Sequence, residues 1–199
     1  GKTTLVTVET DMTAWGAAAS ITMDHQALGA ALGAAALNGV PEGGTVLLLD
    51  SLPGDNGIRE RMEAAKAVLE REGRQVRVYK WDPDTTSLPD ILRIERPRAI
   101  IAFEAAALAD VAELSRGEDA FPLLYGCGST ASIAAALEKG RVTAITAVNV
   151  FSAGYLAVEA AAALARHEDW TAAAPVAFSI VRQETMYDSD NQKLLFPVT

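Results

Sequence analysis

Short β-branched runs alternate with longer alanine-rich stretches along almost the whole chain, and this alternation limits the possible folds more than any other feature. Leu5 to Val8 reads as a strand and Ser20 to Met23 as a short second one. Asp24 is placed to cap a helix that carries Leu28, Ala31, Leu32 and Ala35 on one side and ends at Asn38-Gly39. Val46 to Leu49 is apolar throughout, the pattern of a strand covered on both faces. A loop rich in Pro, Gly, Asp and Asn, Ser51 to Gly57, leads into a charged amphipathic helix from Ile58 to Gly73. Further strands are predicted at Val76 to Tyr79, Ala99 to Ala102, Leu123 to Tyr125, Val142 to Val148 and Val176 to Val181. Helices fall between them at Leu88 to Ile94, Ala105 to Ser115, Ala131 to Lys139 and Tyr155 to Arg166. Strands separated by helices of this length require right-handed crossovers. The reading is an α/β chain with a mainly parallel sheet flanked by helices.

Composition narrows the function classes. With 17 Lys and Arg against 26 Asp and Glu, the net charge is −9, which argues against a nucleic-acid surface. Alanine accounts for 38 of the 199 residues and aromatics for only 6%, so close-packed helices are expected rather than a disordered chain. The one cysteine, Cys127, rules out an intramolecular disulfide, and two distant histidines do not make a zinc site. No apolar run approaches the roughly eighteen residues needed to cross a membrane as a helix. The sequence starts at Gly1 rather than Met and is read as a piece of something longer. The tail from Glu184 to Thr199 turns apolar at Leu194 to Val198 and is expected to dock.

Several local patterns bear on chemistry. Gly1-Lys2-Thr3-Thr4 looks like the end of a phosphate-binding loop, but a strand rather than a helix follows it. Asp82 and Asp84 flank Pro83 and read as turn formers. Cys127 follows a buried strand; with no histidine placed beside it by sequence, it reads as a small buried residue rather than a nucleophile. The segment from Asp55 to Arg61 sets a helix start at a strand's C-terminal edge. There Arg59 or Arg61 could pair with Glu63 on a solvated face, or Arg59 could point into the crevice and grip hydroxyls or a carboxylate. Trp81, Glu104, Cys127 and Asn149 each follow a predicted strand, so all four fall on the rim where open parallel sheets meet ligands.

Four segments, taken in order, resemble the type I periplasmic sugar-binding protein family, whose fold is shared with LacI-type effector domains. They are Ser20 to Gly29, Gly57 to Ala64 (Gly-Ile-Arg-Glu-Arg-Met-Glu-Ala), Ala136 to Val142, and Asn149 to Val158 (Asn-Val-Phe-Ser-Ala-Gly-Tyr-Leu-Ala-Val). The resemblance implies two lobes, joined by three crossing segments, that clamp a small polar ligand. Residues 1–199 then correspond to the C-terminal lobe. In the family the helix at 151–166 packs on the N-terminal lobe, which this chain is read as lacking; Tyr155, Leu156, Val158 and Leu164 need cover, so the helix is expected to fold onto its own lobe or onto a second copy of the chain. It further implies Arg59 as the ligand-gripping arginine, Trp81 as a sugar-stacking aromatic, and Glu104, Cys127 and Asn149 on the rim. Departures from the family's pattern bear on the ligand. Glu104 stands where many members have Asn, Cys127 where they have Asp, and Val148 where they have Gln. A less hydroxylated or cationic ligand facing Glu104 is therefore also open. The implied function is non-enzymatic binding of a sugar-like ligand outside the cytoplasm, without cofactor or metal, read by a transporter or membrane sensor. A LacI-type effector domain and a flavodoxin-like enzyme using Cys127 are the alternatives.

Overall fold

The apolar run centred on Leu47 and Leu48 becomes an interior strand of a six-stranded sheet, paired on both sides, as a segment with no polar side requires. The computed structural model describes residues 4–118, 120–171 and 174–196, so Gly1-Lys2-Thr3 and the last residues of the tail lie outside the described residues. In chain order the elements are β1 (Val6–Glu9), β2 (Ala19–Thr22), α1 (His25–Leu37), β3 (Thr45–Asp50), α2 (Asn56–Arg71), β4 (Gln75–Lys80), α3 (Leu88–Glu95) and β5 (Ala99–Ala102). There follow α4 (Ala105–Leu114), β6 (Leu123–Cys127), α5 (Ala131–Glu138), β7 (Ala144–Val148), α6 (Val150–Ala165), β8 (Phe178–Arg182) and α7 (Ser189–Leu195). The fold is α/β with a mainly parallel sheet.

The contacts divide the chain into two units, the larger comprising His25–Ala147 and Ser179–Thr199. Its sheet runs β4-β3-β5-β6-β7-β8, with β3 parallel to β4 and β5, β5 to β6, and β6 to β7. Side chains alternate across it. Leu47, Leu49, Ile100, Ala102 and Ile145 pack under α3, α4 and α5, whereas Val46, Leu48, Ile101, Tyr125 and Ala144 pack under α1 and α2. Helices α1 and α2 approach closely because α1 carries glycine where the chains meet. A Cβ on Gly29 would lie 1.9 Å from the Arg61 carbonyl oxygen, and one on Gly33 2.9 Å from that of Ala65. The tail docks: Leu195 is buried in the α3–α5 core, and the Phe196 ring stacks on Tyr187 with centroids 6.3 Å apart.

The smaller unit comprises Gly1–Asp24 and Val148–Phe178. Strands β1 and β2 pair in parallel, from Val6 opposite Ala19 to Glu9 opposite Thr22, and Met23 forms a bridge with Val176. Helix α6 packs on this ribbon through Ala153 and Ala160, with Leu156 and Leu164 against the same cluster. Its other side is open: Tyr155 is 62% and Val158 71% exposed.

Several predicted boundaries move. α6 begins at Val150, five residues before the predicted start, because the Asn149 side chain accepts from the Ser152 N–H at 2.9 Å and caps the helix there. β6 runs on through Cys127, which is thus in the strand and not after it. The last strand starts at Phe178, and the tail contains a helix, α7, that no strong apolar period announces in the sequence. Asp82 does form a turn, its carboxylate accepting from the Asp84 N–H at 3.0 Å.

Candidate functional site

Register fixes where the strands of the larger unit end. Asp50 pairs with Lys80, Leu49 with Ala102, Ala102 with Gly126, and Cys127 with Thr146. The Trp81 N–H donates to the Asp50 carbonyl at 2.8 Å, which carries the β3–β4 pairing one step further. Ser51, Trp81, Glu104 and Gly128 therefore stand just past the ends of adjacent strands, along a single C-terminal edge.

The sequence-named residues occupy that edge in different ways. Trp81 is only 4% exposed and packs in the core with Leu49, Leu88 and Ile91. Glu104 caps α4, one carboxylate oxygen accepting from the Ala107 N–H at 2.8 Å. Cys127 is buried on the opposite face of the sheet from Trp81, in the α1–α2 core with Ile58 and Phe103. Two glycines shape its surroundings. A Cβ on Gly126 would lie 2.6 Å from the Ala102 carbonyl, and Gly128, at φ 126°, turns the chain out of β6. Asn149 belongs to the smaller unit, where it caps α6.

Arg59 is exposed, and Arg61 is buried. Ile58, Arg61, Ala65 and Leu69 form the inward stripe of α2 at helical spacing, and Arg59 lies well off that stripe. Arg61 donates from Nε to His25 Nδ1 at 3.1 Å and from Nη1 to the Phe103 carbonyl at 3.0 Å, immediately past β5. Its guanidinium reaches the strand edge. Extending the apolar stripe by one turn would have found it in the sequence.

Three buried polar side-chain atoms make no hydrogen bond among the described residues: Ser51 Oγ, Trp81 Nε1 and Thr146 Oγ1. Each leaves about 1–3 kcal/mol of desolvation uncompensated. Ser51 and Trp81 follow the ends of β3 and β4, and Thr146 is level with the end of β6. Polar atoms unpaired among the described residues thus lie at or near the edge where an α/β sheet meets a small molecule, on both faces of the sheet.

A parallel α/β lobe with buried polar groups gathered at its strand ends has the architecture of a small-molecule binding lobe. The family model described as a periplasmic binding protein domain matches residues 2–169, and the chain belongs to that family. No curated protein matches the sequence. Among solved structures, the chain is similar to an ABC transporter solute-binding protein from Agrobacterium vitis bound with α-D-tagatopyranose. The TM-score is 0.86 at 15% identity, covering 98% of this chain and 72% of that one. A carbohydrate transporter solute-binding protein from Agrobacterium radiobacter in complex with D-arabinose gives 0.86 at 16% identity, over 96% and 70%. A protein assigned as a LacI transcriptional regulator from Bacteroides fragilis gives 0.76 at 13% identity, over 91% and 67%. At these identities the likeness is one of fold.

Proposed function

We propose that the chain recognises a small polar, sugar-like ligand at the C-terminal edge of the larger unit's sheet and performs no chemistry on it. The observation that carries this reading is that Ser51 Oγ, Trp81 Nε1 and Thr146 Oγ1 are buried without a hydrogen-bond partner among the described residues, the first two just past strand ends and the third level with the end of β6. Donors and hydroxyls of this kind match a ligand rich in hydroxyl groups. Arg61 and Glu104 add a guanidinium and a carboxylate at the same edge. Trp81, Cys127, Arg59 and Asn149 stay in the reading as the rim residues that the family resemblance implies. The sugars bound by the two Agrobacterium proteins give the first ligands to try. Cys127 is buried among apolar side chains, an environment that suits a packing residue better than a nucleophile.

In this reading the protein works outside the cytoplasm, and a transporter or membrane sensor reads the bound state. The exposed side of α6, with Phe151, Tyr155 and Val158, takes cover against a further lobe of the kind the family carries or against a second copy of the chain. The likeness to the Bacteroides fragilis protein favours one second reading, the effector domain of a cytoplasmic regulator. The ligand site would be the same in both.

The test is thermal unfolding of the protein with D-tagatose, D-arabinose, D-ribose, D-glucose and a cationic amino sugar. A ligand present at a hundred times its Kd adds about 2.7 kcal/mol. For a chain of this size that raises Tm by about 5–10 °C. A rise with at least one neutral sugar is expected. A rise with the amino sugar alone would replace the neutral ligand by a cationic one facing Glu104, and no rise with any would contradict the sugar reading.

A further inference from the structure

We infer that His25 is the positioning residue for Arg61, fixing the plane of its guanidinium at the end of β5. The two side chains come from different helices and are equally buried, each 8% exposed. Arg61 Nε always carries its proton, so a 3.1 Å hydrogen bond to His25 Nδ1 requires that nitrogen to offer its lone pair. The second anchor is the Phe103 carbonyl, 3.0 Å from Arg61 Nη1. A guanidinium is planar, so holding Nε–H and one Nη–H leaves it a single orientation, and the remaining N–H directions are set with it.

The backbone enforces this meeting. Gly29 of α1 lies so close to Arg61 that a Cβ would fall 1.9 Å from the arginine's carbonyl oxygen. Gly57 of α2 lies flat on the imidazole, where a Cβ would fall 2.9 Å from His25 Cε1 and Nε2. One glycine lets α1 reach α2 at the arginine, and the other makes room for the ring between the helices. The arrangement supplies an acceptor to the Nε–H of a buried cation at the strand edge. A merely space-filling residue at position 25 would not need its Nδ1 directed at Arg61. Any effect of this positioning on ligand affinity rests on the function proposed above; the positioning itself does not.

The experiment compares the full chain with His25→Asn, His25→Gln and His25→Phe. Asn places its amide oxygen where Nδ1 sits, Gln places its own near Nε2, and Phe offers no acceptor. The first readout is the 1H–15N signal of the arginine Nε–H groups. In the wild type one Nε–H, lost in Arg61→Lys, should exchange with water on the order of 100-fold more slowly than the exposed Arg59 Nε–H. His25→Asn should keep that protection, and His25→Gln and His25→Phe should lose it. The Asn and Gln pair decides the matter if the Phe variant does not fold. The second readout is titration with D-tagatose and D-arabinose, where His25→Gln should weaken binding about tenfold and His25→Asn by less than about threefold. Equal protection in the Asn and Gln variants would overturn the inference; equal sugar affinity across variants that differ in protection would leave the positioning standing and take Arg61 out of the ligand site. If neither sugar binds the wild type while the Asn and Gln variants differ in protection, the sugar reading fails and the positioning of Arg61 by His25 stands.

Discussion

A missing side chain at Gly29 decides how near α1 comes to α2, and with it whether His25 can reach Arg61 at all. Gly29→Ala is expected to lower stability by at least about 3 kcal/mol, because its Cβ would meet backbone rather than a side chain that could turn away. Gly154→Ala is the matched control. It lies within α6 with nothing within 4 Å of a new Cβ, so it should gain about 0.5–1 kcal/mol. Denaturant melts of both variants check the pair, and a Gly29 variant as stable as the wild type would refute the close-approach argument. At this scale the sequence was legible where a residue's neighbours along the chain determine its place. The turn at Asp82 and the burial of Cys127 could both be read. The environment of Arg61 could not, because its partners His25 and Phe103 are 36 and 42 residues away. Motif likeness drew attention to Arg59, whereas the inward stripe through Ile58, Ala65 and Leu69 includes Arg61.

Strands and helices were legible because their periodicities differ, and their ends were not, because the ends depend on caps and on pairing across the sheet. Asn149 extends α6 back by more than a turn, and pairing with Thr146 keeps Cys127 in β6. The tail shows the limit most plainly. Its polar stretch, Asp188 to Lys193, gives no strong apolar period, yet α7 forms because Leu195 finds the core and Tyr187 donates a hydrogen bond to Glu138 of α5. That bond favours the neutral phenol and raises Tyr187 above its ordinary value of 10.0. The folded state then holds the proton more tightly than the unfolded one. The contribution is complete below the unfolded value and is lost as pH rises through the raised one. Thermal melts across the alkaline range should therefore fall less steeply for Tyr187→Phe than for the wild type, with Tyr79 and Tyr125, also raised, accounting for the rest. Superimposable alkaline curves would mean that the Glu138 bond does not hold the tail.

On the scale of the whole molecule, alternation was enough to read the α/β class, since parallel strands joined by helices leave few other arrangements. The division of the chain was less legible. The sequence reading treats 1–199 as one lobe with 151–166 set apart, whereas the contacts place that helix in a unit with Gly1–Asp24. Residues so far apart in the chain carry no local signal of their association. The larger unit has two edges at which a small molecule could bind. At the N-terminal edge of the sheet a hollow of about 350 Å³ opens beside Gly39, Arg98, Phe121 and Leu123. The buried polar atoms without a hydrogen bond among the described residues are at or near the other edge, and chemistry rather than volume selects a ligand. Mapping backbone amide shifts during titration with D-tagatose and D-arabinose separates the edges directly. Shifts centred on Ser51, Trp81, Glu104 and Gly128 are the expected result; shifts centred on Gly39, Arg98 and Leu123 would contradict the assignment of the ligand to the C-terminal edge.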